Sequence, residues 1–181
     1  VLWPLFHGRA DLLSVSVGQF TTYKSVNRRL AELSAPHLRP DDTIWIHDYH
    51  LLPLASCLRT LGVDNKIGLF LHIPFPALAD LSILPDPPAF AQWLASFDLL
   101  GLQTRADTAR CLEMFRSDPR AEFFHDGSVK FGDRLVRVKS FPIGIAVETF
   151  QALAQNADGD PFGAERPQEY IIGVDRLDYT K

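Results

Sequence analysis

Three apolar runs end in clusters of polar side chains able to do chemistry. Thr43-Ile44-Trp45-Ile46 leads into His47-Asp48-Tyr49-His50, and Ile67-Gly68-Leu69-Phe70-Leu71 into His72-Ile73-Pro74-Phe75-Pro76. Tyr170-Ile171-Ile172-Gly173-Val174 leads into Asp175-Arg176-Leu177-Asp178-Tyr179-Thr180-Lys181. An ionised Asp48 is a strong acceptor for hydroxyl groups; its competing role is to cap the helix that starts just beyond it. His72, stiffened from behind by two prolines, is placed to touch a ligand or to serve as a satisfied structural histidine. Arg176 can grip a phosphate with two parallel hydrogen bonds and Lys181 adds a mobile point charge, so together they could balance a diphosphate leaving group. The plainer alternative is a surface ion pair of Arg176 with Asp178. His47 and His50 are three residues apart, but no third ligand is near in sequence, so no metal is expected and His47 reads as a brace for its loop.

Such residues need elements to hold them. Between the apolar runs lie segments with helical spacing. Phe20, Tyr23, Val26, Leu30 and Leu33 mark one helix; Leu51, Leu54, Ala55, Leu58 and Leu61 mark another, with Pro53 in its first turn and Gly62 after its end. Strands are expected at 43–47, 67–72 and 98–103. Helices are expected at 89–97, at 147–155, and from Thr104 through Phe115, where Thr104 and Asp107 have capping-box spacing. Residues 1–6 read as an extended leading segment because of Pro4. The five prolines of 74–88 make it mostly loop with at most one short helix, and 121–141 reads as a hairpin or short strand pair with a turn at His125-Asp126-Gly127-Ser128. Strands alternating with helices predict an α/β fold with a parallel, doubly wound, Rossmann-like sheet. Ligands of such sheets bind beyond the carboxyl ends of the strands, where Asp48 and His72 fall. A Gly-, Pro- and acid-rich stretch at 158–169 reads as the linker between a domain at 1–157 and the opening strand of a second domain at 170–181. Asp158-Gly159-Asp160 within it reads as a solvated turn rather than a metal motif.

Composition narrows the class of function. The 181 residues are 46% hydrophobic with a net charge of -4, enough for a real core and without the basic excess of a nucleic-acid binder. The two cysteines, Cys57 and Cys111, sit among apolar residues and read as free thiols, which suits a reducing, cytoplasmic setting. No apolar run approaches the length needed to span a bilayer, and no secretory leader is visible.

Taken in order, several segments resemble the trehalose-6-phosphate synthase family. They are Leu2-Trp3-Pro4 with Phe6-His7 and Arg9, Trp45 through Pro53, Leu71 through Pro76, Asp98-Leu99-Leu100-Gly101 with Gln103-Thr104, Pro142-Ile143-Gly144-Ile145, and Asp175 through Lys181. The resemblance implies a two-domain GT-B glycosyltransferase of two Rossmann-like domains. It implies transfer of glucose from UDP-glucose to glucose 6-phosphate with retention of configuration, in trehalose biosynthesis. By matching position it implies that Asp48 binds acceptor hydroxyls, Trp3 lines the acceptor pocket, His72 contacts the donor glucose, and Arg176 and Lys181 hold the diphosphate. His72 and Asp48 would be the catalytic pair. No metal or other cofactor is implied, and the partners would be the two small-molecule substrates, with a homo-oligomer left open. The stretch 77–95 departs from the family pattern at Pro85, Pro87 and Pro88. The family's glycine-bearing loop and most of its nucleotide domain have no counterpart in these residues, so the chain reads as the middle of the enzyme and is expected to be inactive alone. A related synthase using another phosphorylated acceptor, such as glycerol 3-phosphate, and a catalytically silent binding module are the rival readings.

Overall fold

β-Branched and aromatic residues at Thr43–His47 favour a strand, and they form β1 of a six-stranded sheet. The computed structural model describes residues 2–14, 16–156 and 173. β2 (Lys66–Phe70), β3 (Leu99–Leu102), β4 (Ala121–Phe123), β5 (Ser128–Phe131) and β6 (Arg134–Ser140) complete the sheet, in the order β1-β2-β3-β6-β5-β4. The first three junctions are parallel and the last two antiparallel. The parallel half is thus the Rossmann-like part expected from strand–helix alternation, and β6-β5-β4 is an antiparallel wing added to it. In the register of β1 and β2, Thr43 faces Lys66 and His47 faces Phe70, so the carboxyl ends of the two strands are level.

Side chains alternate across the sheet. Ile46, Ile67, Leu69, Leu100, Leu102, Val136 and Val138 are buried on one face, whereas Trp45, His47, Arg137 and Lys139 on the other are exposed. The helices are α1 (Leu2–Phe6), α2 (Val17–Ser34), α3 (Leu52–Thr60), α4 (Leu78–Leu81), α5 (Pro87–Ala95), α6 (Arg105–Arg116) and α7 (Val147–Gln155). Phe20 of α2, Leu52 and Leu58 of α3, Phe90, Trp93 and Leu94 of α5 and Phe115 of α6 join the buried strand residues in one core.

One buried cation ties this core to the strand entrances. Arg59 of α3 donates through Nη1 to the carbonyls of Val63 (2.7 Å) and Asn65 (2.8 Å), and through Nη2 to Asp98 (2.9 Å). Asp98 also accepts from the Ile67 amide at 2.8 Å. The guanidinium and its carboxylate therefore pin the α3–β2 connection to the start of β3.

Three expectations are corrected. Residues 2–6 are helical rather than extended, because Pro4 lies in the first turn, where its missing N–H has no bond to make; Leu2, Leu5 and Phe6 are buried along one side. β2 stops at Phe70, which leaves His72 in the loop beyond the strand. The region 121–141 holds three strands, not a simple hairpin, with turns at Gly127 and Gly132 in left-handed backbone (φ 79° and 60°) that glycine adopts without penalty.

The chain divides into two units, Val1–Pro142 and Ile143–Lys181. The six strands and α1 to α6 belong to the first; α7 belongs to the second. The expected linker at 158–169 and, but for Gly173, the expected strand at 170–174 lie outside the described residues, as do Arg176 and Lys181. Among the described residues no helix is long and apolar enough to cross a membrane. Cys57 and Cys111 are free thiols, and burial pushes both up from the usual thiol range.

Candidate functional site

The level ends of β1 and β2 force a sharp exit at Asp48. Its amide still bonds to the Phe70 carbonyl of β2 (2.9 Å) while the chain turns away into a single 3-10 turn, Tyr49–Leu51. The result is φ 60° and ψ 177° at Asp48, the one non-glycine residue with positive φ among the described residues. That region is essentially reserved for glycine, and strain of this kind clusters at functional sites.

The side chain of Asp48 is not a cap. It makes no hydrogen bond to the turn that follows; instead Oδ1 accepts from the His72 amide at 2.9 Å. Among the described residues Oδ2 accepts no hydrogen bond, so half of the carboxylate keeps its acceptor capacity. The Gln103 side chain donates to the His72 carbonyl (3.2 Å), so His72 is held at both its amide and its carbonyl.

Its ring is also held. His47 Nδ1 lies 2.9 Å from His72 Nε2, and the two imidazoles stack with centroids 5.2 Å apart and planes 21° off parallel. Trp45 covers His47 (4.7 Å) and the ring of Phe70 meets His72 edge-on (4.8 Å, 61°). His47 does brace a loop, as expected, but the loop is that of His72. His50 turns elsewhere and stacks on Tyr49 at 4.3 Å. Among the described residues no group of three or more metal-ligating side chains gathers.

Further support comes from residues that spacing alone did not flag. Phe75, between the two prolines, donates its amide to the buried Asp107 (2.9 Å) and accepts from Arg110 through its carbonyl (3.2 Å), which anchors the loop beyond His72 to α6. The Thr104 cap forms as expected, accepting from the Asp107 amide at 3.1 Å, but the Asp107 carboxylate spends Oδ1 on Phe75 rather than on the cap backbone. The Tyr23 phenol donates to the Tyr49 carbonyl (2.6 Å) and accepts from the Leu52 amide (3.2 Å), fixing the turn after Asp48 against α2; burial pushes this phenol well above its ordinary range. Asn27, one turn on, donates to the carbonyls of Tyr23 and His50.

Trp3 reaches the same neighbourhood through aromatic contacts. It stacks on His7 (4.3 Å, 16°), and His7 meets Tyr49 edge-on at 6.3 Å. Phe6 stacks on Tyr49 at 5.0 Å. Helix α1 thus packs beside the turn that follows Asp48. A mostly apolar cavity of about 210 Å³ lies behind that turn, lined by Leu2, Gln19, Phe20, Tyr23, Tyr49 and His50. Asp48 and His72 do not line it, so the polar rim and this cavity are separate features.

The structure therefore brings Asp48 and His72 together at one strand rim, with α1 and Trp3 beside the adjoining turn. A carboxylate oxygen and a clamped imidazole at the carboxyl edge of a parallel sheet can exchange hydrogen bonds with a hydroxyl-bearing ligand. A sequence model of Glycosyltransferase family 20 matches residues 1–181, and the chain belongs to that family. A trehalose-6-phosphate synthase from Sodalis glossinidius is 38% identical over 184 residues, covering the whole of this chain and 39% of that protein. The structure of an α,α-trehalose-phosphate synthase (UDP-forming) from Burkholderia xenovorans in complex with glucose-6-phosphate matches 86% of this chain and 35% of its own, at 41% identity and a TM-score of 0.77. A trehalose-6-phosphate protein from E. coli bound with UDP-2-fluoro glucose matches 88% of this chain and 35% of its own, at 40% identity and a TM-score of 0.78. The chain spans about 39% of the length of the curated relative it matches.

Proposed function

We propose that this chain is the acceptor-side part of a retaining glucosyltransferase that moves glucose from UDP-glucose to glucose 6-phosphate, giving α,α-trehalose 6-phosphate and UDP, and that acts in the cytoplasm. The observation that carries the reading is the joined rim: one strained turn presents the Asp48 carboxylate and clamps His72 beside it. Family membership over all 181 residues supports it, as do relatives whose structures hold glucose-6-phosphate or a UDP-glucose analogue.

In this reading Asp48 Oδ2 accepts hydrogen bonds from acceptor hydroxyls and Trp3 walls the acceptor pocket. His72 contacts the donor sugar as positive charge develops at its anomeric carbon. Arg176 and Lys181 hold the diphosphate and balance the charge left on it. Retention follows from acceptor and leaving group on the same face of the sugar, with no enzyme nucleophile. The rate then rests on positioning and on fixed charges rather than on a covalent intermediate. Arg176 and Lys181 would belong to the nucleotide-sugar domain that opens at 170–181 after the linker.

The test is release of UDP by the full-length protein that contains these residues. Turnover should require UDP-glucose and glucose 6-phosphate together. Asp48→Asn and the pair Arg176→Ala with Lys181→Ala should each lower kcat/KM by at least about a hundredfold, as loss of an oriented charge at a reacting centre does. Equal turnover with glycerol 3-phosphate, or full activity in Asp48→Asn, would refute this assignment of the acceptor site.

A further inference from the structure

We infer that His47 is a positioning residue that sets the ring orientation and tautomer of His72. The clamps on the His72 amide and carbonyl fix its backbone, but they leave the imidazole free to turn about its two side-chain torsions. Among the contacts described two groups touch the ring itself, and a third backs one of them. Phe70 meets it edge-on, Trp45 backs its partner, and His47 bonds to it at 2.9 Å. Of these, His47 alone makes a directional bond to a ring nitrogen.

That bond carries a constraint on protons. A hydrogen bond between two imidazole nitrogens needs one N–H and one lone pair. With both rings neutral there are two arrangements. Either His47 Nδ1–H donates to His72 Nε2, and His72 carries its proton on Nδ1, or His72 Nε2–H donates to His47 Nδ1, and His72 Nδ1 is bare. In both, the nitrogen that His72 turns toward a ligand has its donor or acceptor character set by His47. Ring orientation set by the bond on the other nitrogen is a general property of functional histidines. Here the partner is a second imidazole rather than a carboxylate, so it holds His72 without placing a formal negative charge beside it.

The geometry follows from the sheet. His47 is the last residue of β1 and faces Phe70, and His72, two residues beyond Phe70, brings its ring against that of His47. Level strand ends therefore put the two rings side by side, and the tilted ring contact with Trp45 keeps His47 from swinging away.

The kinetic part of this inference rests on the glucosyltransferase reading; the spectroscopic part does not. The experiment combines ¹⁵N imidazole spectra and steady-state kinetics of the full-length protein, comparing wild type with His47→Ala, His47→Asn and His47→Gln. His72→Gln assigns the His72 resonances by their loss. Asparagine places an amide atom where Nδ1 stood, whereas glutamine places one nearer to Nε2. His72 should show one dominant tautomer in wild type and in His47→Asn. It should show averaged nitrogen shifts in His47→Ala and His47→Gln. In the kinetics, His47→Ala should lower kcat roughly 10- to 100-fold, the scale of a misplaced reacting group, with KM for both substrates little changed, and His47→Asn should recover most of the loss.

If His47→Ala fails to fold, the contrast of His47→Asn with His47→Gln carries the same test. Unchanged His72 shifts in His47→Ala, or in His47→Gln, overturn the inference whatever the activity. Altered shifts with unchanged kcat overturn its catalytic part. Should wild type release no UDP from the two substrates while the His72 shifts still follow His47, the positioning role stands and the glucosyltransferase reading falls.

Discussion

Asp48 combines a strained backbone with a useful carboxylate, and two substitutions separate them. Asp48→Ala removes the bond from Oδ1 to the His72 amide but leaves a Cβ in a backbone with φ 60° and ψ 177°. A hydrogen bond to a charged group contributes about 1.5–3 kcal/mol when buried. Asp48 is only half-buried, so about 1–2 kcal/mol is the expected loss. Asp48→Gly removes the same bond and also relieves the backbone, which recovers about 1–3 kcal/mol. Against that stands the extra freedom of glycine in the unfolded chain, about 0.5–1 kcal/mol. The glycine variant should therefore be the more stable of the two, by up to about 2.5 kcal/mol, although it deletes more of the side chain. Urea unfolding measures this as a shift in midpoint at constant slope. Both variants should be equally inactive in UDP release, because neither has a carboxylate. A glycine variant no more stable than the alanine variant would refute the claim of backbone strain, and an active glycine variant would refute the role of the carboxylate.

Other perturbations follow from the supporting contacts. Tyr23→Phe removes the hydroxyl's bonds to the Tyr49 carbonyl and the Leu52 amide and should cost about 1–3 kcal/mol in urea unfolding. Burial raises the folded-state pKa of the phenol, so its contribution is fully present below about pH 10 and is lost as pH rises beyond that; wild type should lose more stability than Tyr23→Phe between neutral pH and about pH 10.5. Arg59→Met frees three main-chain carbonyls and the partly buried Asp98 at once, and should cost about 2–4 kcal/mol, whereas Asp98→Asn, which still accepts from Ile67, should cost less. In Gly101→Ala the new methyl group would stand 2.9 Å from Phe70 and 3.3 Å from Phe141, so Phe70 must shift and carry with it the edge contact to His72; about 1–3 kcal/mol of stability and several-fold in kcat should be lost together.

The order of elements was legible because apolar runs and helical spacing alternate cleanly from Phe20 to Phe115. Gly62, in left-handed backbone at φ 81° just past α3, and the Thr104 cap of α6 end and start helices where local chemistry requires them. The leading helix was not legible, because a proline in a first helical turn and one in an extended segment look alike without knowledge of what buries Leu2, Leu5 and Phe6. Nor was the second use of Asp107. Its spacing from Thr104 speaks only of the helix start, while its bond to Phe75 spans 32 residues and depends on how the proline loop folds back. The pairing of His47 with His72 is hidden for a related reason. Each histidine marks the end of a strand, but their meeting depends on a register that a one-residue slip would undo by sending one ring to the other face.

That register also accounts for the strain. With His47 opposite Phe70, the next amide must reach back to the Phe70 carbonyl while the chain leaves for α3, and Tyr23 and Asn27 hold the carbonyls of Tyr49 and His50 from the side of α2. The backbone at residue 48 is caught between these two sets of bonds and takes positive φ. A glycine there would satisfy the backbone better, but it could not bond the His72 amide or offer an oxygen beyond it. The aspartate is therefore explained by what its side chain holds and not by the turn, and the same strand register that strains residue 48 seats His72 within reach of both its carboxylate and the His47 ring.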